Sequence, residues 1–343
     1  MFQVNKRSLI VSFVLAFLFF IIVTVKLPYY IYKPGAADEL TDMVEVNHGY
    51  HSEGAFHLVT VSGGRATPLE YVWAKFASYR EILPLEEAIP EGFTDEAYRF
   101  FQLKMMEDSK AASKVVAYEA AGKKVDIIFN GVYVLQTIPH MPAEEVLEVG
   151  DRIFAVDGRE VKEAKDLTSY VEEKKIKDTV SLTIERDDKT EEVDVVIDSF
   201  PESKEGHGIG IQLLAEKSVH VEPKVTIKSG NIGGPSAGLM FALEMHNQLV
   251  EDDITKGYRI AGTGEIAFDG SVLRVGGVDK KVIAANRKGV DIFFAPNEDG
   301  AEDSNYEVAK QTADEIKADM EIVPIDSFDE ALDYLNQLEP NDK

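Results

Sequence analysis

The chain has 343 residues, 45% of them hydrophobic, which is enough for two or three domains with buried cores. Its formal net charge of −25 argues against nucleic acid or an anionic membrane surface as a partner, because phosphate binding needs clustered Lys and Arg side chains. The sequence contains no cysteine, which excludes disulfides, cysteine metal ligands and a cysteine nucleophile.

An uncharged apolar run lies near the N-terminus. Lys6 and Arg7 precede the run from Ser8 to Val25, which is near the lower length limit for a helix that spans a bilayer. The residues that follow it are basic and aromatic, as is typical of a membrane interface: Lys26, Tyr29, Tyr30, Tyr32 and Lys33. We predict a cytoplasmic tail over residues 1–7 and a transmembrane anchor over residues 8–27. The bulk of the chain is then on the extracellular side of the cell membrane.

A cleaved signal peptide is the alternative interpretation of this run. Its apolar core would be shorter and would end in a site with small residues. Bulky residues occupy that place here, from Leu27 to Tyr32.

The next part of the chain combines a strand with two helices. The β-branched and aromatic residues of 54–62 predict a strand. A helix is predicted over 67–80, with apolar residues at helical spacing: Leu69, Val72, Trp73 and Phe76. A long helix is predicted over 94–121, with Thr94 as its cap and Gly122 at its end.

From residue 125 onward short predicted strands alternate with turns, and one short helix is predicted over 164–173. The stretch 149–161 reads VGDRIFAVDGREV. It resembles the PDZ-domain signature Gly-Asp-x-Ile-x-x-Val-Asp/Asn-Gly-x-x-Val, whereas a generic hairpin with an Asp-Gly turn is the alternative. The resemblance implies an inserted PDZ domain, a small β-barrel or sandwich with helices, over residues 122–199.

A PDZ domain binds an extended peptide by adding it to a sheet edge beside a helix. The resemblance implies that the peptide pairs with the strand after Gly131, through Val132, Tyr133 and Val134. The loop 129–131, Phe-Asn-Gly, would hold the terminal carboxylate, although it differs from the Gly-Leu-Gly-Phe form of that loop.

The stretch 233–238, Gly-Gly-Pro-Ser-Ala-Gly, places Ser236 in a tight turn before an apolar helix. Ser236 can cap that helix by accepting hydrogen bonds from its free N–H groups. It can also be an exposed nucleophile, with Gly234, Pro235 and Ala237 forming the turn and backbone N–H groups stabilising an oxyanion. Taken alone, the turn leaves both interpretations open.

A serine nucleophile needs a base. None of the seven histidines lies in a recognisable triad motif, and His48 and His51 are too few for a metal site. Lysine is the alternative base, provided that burial lowers its pKa by about 3 units or more. On a helix that begins near Val278, Lys281 lies on the apolar side and Lys280 does not. A lysine that keeps its charge in water at the helix edge is the competing interpretation.

The motifs GPSAG, TGEI and GG-x-x-x-K-x-x-A-A occur in this order and resemble the proteolytic domain of the Lon family. The resemblance implies that Ser236 is the nucleophile, Lys281 the base and Thr263 the residue that orients the lysine. It also implies an α+β peptidase domain over residues 36–121 and 200–340, interrupted by the PDZ domain. The whole chain resembles the membrane-anchored, PDZ-containing Lon-like peptidases of Gram-positive bacteria (YlbL type).

The sequence contains no Gly-x-x-x-x-Gly-Lys-Ser/Thr phosphate loop, so we expect a peptidase that works without ATP and needs no cofactor. We predict a serine endopeptidase that cleaves exported or membrane-associated proteins recruited partly through the PDZ domain. A non-proteolytic PDZ adaptor on an inactive scaffold is the alternative. The expected partners are protein or peptide substrates and membrane lipid, and the resemblance implies a homo-oligomer, a hexamer.

Overall fold

The computed structural model describes residues 6–90, 93–201 and 206–341, and of Lys6 and Ser8 it describes the backbone alone. The helices are α1 (Lys6–Thr24), α2 (Pro68–Ala74), α3 (Leu85–Ala88), α4 (Asp95–Ala120), α5 (Ala164–Glu172), α6 (Gly238–Leu249), α7 (Val278–Lys288), α8 (Asn305–Ile316) and α9 (Phe328–Gln337). The strands of the N-terminal half are β1 (Tyr29–Glu39), β2 (Val44–Val46), β3 (Ala55–Arg65), β4 (Glu81–Pro84), β5 (Val125–Thr137), β6 (Arg152–Val156) and β7 (Arg159–Glu160). Those that follow are β8 (Thr179–Arg186), β9 (Lys189–Val196), β10 (Asp198–Ser199), β11 (His207–Gly208), β12 (Ile211–Val221), β13 (Val225–Ile227), β14 (Arg259–Gly262), β15 (Glu265–Ile266), β16 (Val272–Leu273), β17 (Ile292–Pro296) and β18 (Glu321–Ile325).

The first sheet has the strand order β18-β17-β14-β3-β1-β4. Strands β18, β17, β14 and β3 run parallel, and β1 pairs antiparallel with β3 and β4. On β17, Phe294 packs into a core that includes α4, α6 and α9, whereas Phe293 packs against α7 and α8. Helices therefore cover both faces of the parallel part, which is the usual arrangement of such sheets.

The second sheet is antiparallel, with the order β12-β5-β6-β8-β9, and encloses a core of its own. Val180, Leu182 and Ile184 of β8 point into this core and are fully buried. Asp157 and Gly158 both have positive φ angles, as a two-residue hairpin turn between β6 and β7 requires. The predicted mixed α+β class is confirmed.

A long ribbon and α4 join the two parts. The sequence predicts two strands over 125–135, but they form the single strand β5, which pairs with β12 along its length. Nζ of Lys217 on β12 lies 2.8 Å from a carboxylate oxygen of Asp108 on α4. Ile209 and Leu213 pack with the second core, so this unit continues beyond the predicted boundary at residue 199.

Helix α1 coincides with the predicted anchor, and its side chains from Leu9 to Phe20 are exposed. Over the described ranges, no helix is both long enough and apolar enough to cross a bilayer. The sequence predicts Tyr29, Tyr30 and Tyr32 at a membrane interface, but they belong to β1 and pair with β3 and β4.

The elements after β1 match the prediction unequally. Strand β3 and helix α4 are confirmed, and the Thr94 hydroxyl caps α4 by accepting from the N–H of Ala97. Helix α2 is shorter than predicted: it ends at Ala74, whereas the prediction continued to residue 80. Its apolar periodic residues are exposed, since only the side with Tyr71 and Ala74 packs against the sheet.

Candidate active site

Ser236 lies in the turn that leads into α6. This helix begins at Gly238 with Ala237 as its N-cap residue, and no side-chain hydrogen bond caps it. The interpretation of Ser236 as a capping residue is therefore wrong. Its Oγ instead lies 2.7 Å from Nζ of Lys281.

Helix α4 holds the turn that carries Ser236. Gly234 has a φ of 87°, a conformation that glycine adopts without strain, and its N–H donates to the carbonyl of Gln102 over 2.8 Å. The hydroxyl of Ser109 donates to the carbonyl of Pro235 over 2.8 Å. Two anchor points on one long helix thus fix the position of the nucleophile candidate.

Lys281 extends from the first turn of α7 into the same site. Its side chain is buried, and Nζ donates to Oγ1 of Thr263 over 2.8 Å. Burial lowers the pKa of Lys281 to about 7. At pH 7 about half of these amines are neutral and can accept a proton from the Ser236 hydroxyl. The interpretation of Lys281 as a solvated lysine at the helix edge is wrong.

Thr263 follows β14 and is completely buried. Its hydroxyl donates to the carbonyl of Ser236 over 3.1 Å, and it accepts from Nζ of Lys281. One amine hydrogen therefore points at Thr263, which leaves the lone pair of a neutral amine free for Ser236. The structure brings together Ser236, Thr263 and Lys281, together with the turn formed by Gly234, Pro235 and Ala237.

Lys280 departs from the sequence prediction, because it too is buried and lines the cavity. Its Nζ lies 2.6 Å from Oε2 of Glu81 and 3.0 Å from Oδ2 of Asp279. Burial lowers the pKa of Lys280, but its hydrogen bonds to the two carboxylates and their negative charges outweigh burial and raise it. Adjacent lysines therefore differ in charge state: Lys280 stays protonated and Lys281 is poised near neutrality.

The cavity in front of Ser236 has a volume of about 520 Å³. Its wall combines apolar side chains, such as Met106 and Ile232, with the charged side chains of Glu265 and Arg274. Burial, together with the charge of Asp108, raises the pKa of Glu265. Such a mixed wall can contact both the apolar side chains and the amide groups of a peptide. In the described part of the chain, no group of three or more His, Asp and Glu residues is arranged to hold a metal ion.

The structure contradicts the predicted peptide-binding strand. Val132, Tyr133 and Val134 lie on β5, which has β12 on one side and β6 on the other. The N–H of Val134 donates to Asp151, and its carbonyl accepts from Gly150. No edge is left at which a peptide could pair, and Gly131 donates its own N–H to the carbonyl of Lys162.

Among the described strands, β12 is one of the two edge strands of this sheet, β9 being the other. Within the described residues it pairs with β5 alone, and it also contacts the helices α4 and α5. The loop before it reads Gly-Ile-Gly-Ile over 208–211, which has the glycine spacing of the Gly-Leu-Gly-Phe form. Gly210 has a φ of 89°, and a side chain there would collide with Met141. The sequence prediction placed the carboxylate-binding loop before β5 and so missed this one before β12.

Comparisons with known proteins agree with both parts of the fold. The family model of the Lon protease (S16) C-terminal proteolytic domain matches residues 187–337, and that of the PDZ domain matches residues 101–197. The chain carries a Lon-type proteolytic domain and a PDZ domain. A Lon-type proteolytic domain implies a serine peptidase. Neither match includes residues 1–100.

Lon proteases are among the relatives. The chain is 30% identical to that of Desulforamulus reducens over 228 residues, 65% of this chain and 26% of that protein. It is 32% identical to that of Aster yellows witches'-broom phytoplasma over 122 residues, 35% of this chain and 14% of that protein. The chain thus spans about a quarter or less of these relatives. A crystal structure of the PDZ domain of an SdrC-like protein from Listeria monocytogenes matches 25% of this chain and 90% of its own chain. The two sequences are 34% identical over this match, and the TM-score is 0.24.

Proposed function

We propose that the chain is a serine endopeptidase in which Ser236 is the nucleophile and Lys281 the general base. The observation that carries this proposal is the 2.7 Å contact between Lys281 Nζ and Ser236 Oγ at a buried amine. The lowered pKa of Lys281 supports it, because a base must be unprotonated at working pH.

The geometry supports a complete catalytic cycle. Lys281 takes the hydroxyl proton while Ser236 Oγ bonds to the substrate carbonyl carbon. The protonated lysine then gives that proton to the departing amine as the peptide bond breaks. In the second half, water attacks the acyl-serine with Lys281 again as base, the carboxylic acid leaves and the serine hydroxyl is restored. Among the described residues no acceptor pairs with the N–H groups of Ser236 and Ala237, which can therefore stabilise the oxyanion.

Replacement of Ser236 by Ala and of Lys281 by Ala should each abolish digestion of unfolded casein by the full chain. The matched controls Ser199→Ala and Lys288→Ala change the same residue types outside the cavity and should retain activity.

The wild-type rate should rise about tenfold from pH 6 to pH 8, because the neutral fraction of an amine with a pKa of about 7 rises by that factor. Full activity of Lys281→Ala, or a flat profile when chemistry limits the rate, would count against the dyad.

The PDZ domain recruits substrates at the free edge of β12, beside α5. Support comes from the unpaired edge and from the Gly-Ile-Gly-Ile loop at its start. A peptide with a free C-terminus should slow hydrogen exchange in residues 211–215 of the full chain. Exchange in residues 132–135 should stay unchanged because that strand is already paired on both sides. An amidated peptide is the control, and protection of 132–135 instead would contradict this assignment.

We further propose that the exposed apolar side chains of α1 hold the chain at a membrane, so that the substrates are exported or membrane-associated proteins. Support comes from the apolar side chains that α1 exposes, with Phe13 74% exposed. The full chain should float with lipid vesicles at high salt, whereas replacement of several apolar residues of α1 by Ser should prevent flotation. Independence of ATP stays a prediction, which cleavage rates with and without ATP would test. A hexameric state also stays a prediction, which sedimentation of the detergent-solubilised chain would test.

A further inference from the structure

Helix α2 presents an exposed apolar surface. Leu69, Val72, Trp73 and Phe76 are 47%, 57%, 62% and 86% exposed. Single exposed apolar residues are ordinary, but four of them close together, three on α2 and Phe76 just after its end at Ala74, mark an interaction site. The opposite side of the helix holds it to the sheet, through Ala74 among others. We call these four residues the α2 surface.

A basic cavity of about 190 Å³ lies next to the α2 surface. The charged side chains in its wall are those of Lys26, Lys33, Arg65, Arg80 and one carboxylate, Glu70. The local excess of positive charge contrasts with the net charge of −25 of the chain. Net charge is a sum over the whole surface, so it does not exclude an anionic partner at this one place.

Basic side chains outnumber carboxylates in the wall of the basic cavity, and three of them form no ion pair with any residue that the structure describes. Among the described residues, Lys26, Lys33 and Arg80 have no carboxylate within ion-pair distance, and the buried Nε of Arg65 has no hydrogen-bond partner. Arg65 does pair with Asp95 through Nη1 over 2.8 Å. The carboxylate of Glu70 accepts from the N–H and the hydroxyl of Thr67, and the nearby charges of Lys26 and Lys33 also help to lower its pKa. One carboxylate thus faces four basic side chains in this cavity.

The two features are adjacent in the fold. The guanidinium of Arg80, in the cavity wall, lies over the ring of Trp73 at 5.5 Å. Lys26 lies two residues after the end of α1 and donates to the carbonyl of Arg65 over 3.0 Å. A membrane-embedded α1 would therefore place the basic cavity at the level of the lipid headgroups and the α2 surface at the top of the acyl chains.

We propose that the basic cavity binds the phosphate of an anionic phospholipid while the α2 surface contacts the bilayer. This inference rests on the proposed membrane anchor, and it assigns a lipid site outside α1. Aromatic and basic residues together at a bilayer surface are the combination that such an interface favours. A second copy of the chain is the competing occupant of the α2 surface, but apolar contact between two copies offers no reason for the excess of basic side chains in the cavity.

Trp73 makes the proposal directly measurable, because it is the chain's one tryptophan. The full chain is reconstituted into vesicles of phosphatidylcholine, with or without phosphatidylglycerol, and with lipids brominated near the headgroup. We expect Trp73 emission to shift to shorter wavelength and to be quenched by the brominated lipid, more strongly with phosphatidylglycerol. Inorganic phosphate in solution should not reverse the shift, since a free ion supplies no acyl chain for Trp73.

Paired variants separate the two parts of the site. Lys33→Gln with Arg80→Gln should weaken the phosphatidylglycerol-dependent docking by roughly 25-fold, because each basic residue near an anionic surface contributes about a fivefold factor. The control Lys123→Gln with Lys124→Gln removes the same charge outside the cavity and should change nothing. Leu69→Ser with Phe76→Ser should abolish quenching while flotation persists.

The outcomes are distinguishable from those of the proposed anchor. Flotation without quenching of Trp73 would overturn the lipid site and leave the anchor standing. A shift without lipid quenching, accompanied by crosslinks between copies, would assign the α2 surface to a second copy and overturn the proposal. Equal quenching with and without phosphatidylglycerol would overturn the phosphate site. Failure to float would overturn both, whereas casein digestion reports separately on the peptidase.

Discussion

Replacement of Lys281 by Met should abolish peptide cleavage and, at the same time, stabilise the folded protein at neutral and acidic pH. Activity is lost because the base is gone. Stability is gained because a buried amine, which pairs with no carboxylate of the described residues, is replaced by an apolar side chain of similar length. A substitution that raises stability while removing activity is expected at a site where function requires strain.

The pH dependence of this gain has a definite sign. Folding lowers the pKa of Lys281 from 10.5 to about 7. Below pH 7 the amine is protonated in both the folded and the unfolded chain, and burial of the charge costs about 5 kcal/mol, because a pKa difference of one between the two states corresponds to about 1.4 kcal/mol. The cost decreases between pH 7 and pH 10.5, where the unfolded chain still binds the proton, and vanishes above that range. Loss of the hydrogen bond to Thr263 offsets about 1 kcal/mol of the gain.

The measurement is chemical denaturation at pH 6, 8 and 10 in a Ser236→Ala background, which prevents self-cleavage. Ser236→Ala alone is the reference, and the added Lys281→Met change should raise the unfolding free energy most at pH 6. Lys288→Met is the matched control, because its lysine is exposed. An equal difference at every pH would show that Lys281 is not a buried neutral amine.

The local chemistry of the site could be predicted from the sequence because it depends on short motifs. Ser236 lies just before α6, and Lys281 lies in the first turn of α7. Glycines precede both helices and indicate where each begins. Which side of α7 is buried was predictable only in part. Periodicity placed Lys281 inside, but the burial of Lys280 depends on Glu81, which is distant in sequence and belongs to β4.

Neighbour relations between strands were harder to predict. A strand is recognisable from its own residues, but whether its edges are free depends on strands far along the chain. Val132 to Val134 were correctly predicted to form a strand. They were wrongly predicted to lie at the edge of the sheet, because β12, which pairs with them, lies some 80 positions later in the chain. Excision of 123–198 would therefore leave β12 without its partner and expose Ile209. A clean deletion of the PDZ domain would instead remove residues from about Gly131 to about Ala215, which keeps the pairing of 125–129 with 217–221.

Lys280→Ala should displace the pH dependence of cleavage to higher pH. Glu81 and Asp279, which pair with Lys280 next to the cavity, would remain without the ammonium that now balances them. Two uncompensated carboxylates favour the protonated form of the nearby Lys281 amine, so the pKa of Lys281 should rise, by an amount on the order of one unit. At pH 7 the neutral fraction, and with it the rate, should fall about fivefold, whereas the rate at pH 9 should be nearly retained.

The pH–rate profile separates this electrostatic role from a structural one. A change that merely distorts the cavity would lower the rate at every pH and leave the midpoint in place. Lys280→Arg keeps the positive charge and should keep the midpoint, and Glu81→Gln combined with Lys280→Ala should move it back towards the wild-type value. An unmoved midpoint in Lys280→Ala would mean that the charge state of Lys281 depends on its burial alone, and that the Lys280–Glu81 pair serves only to fasten β4 to α7.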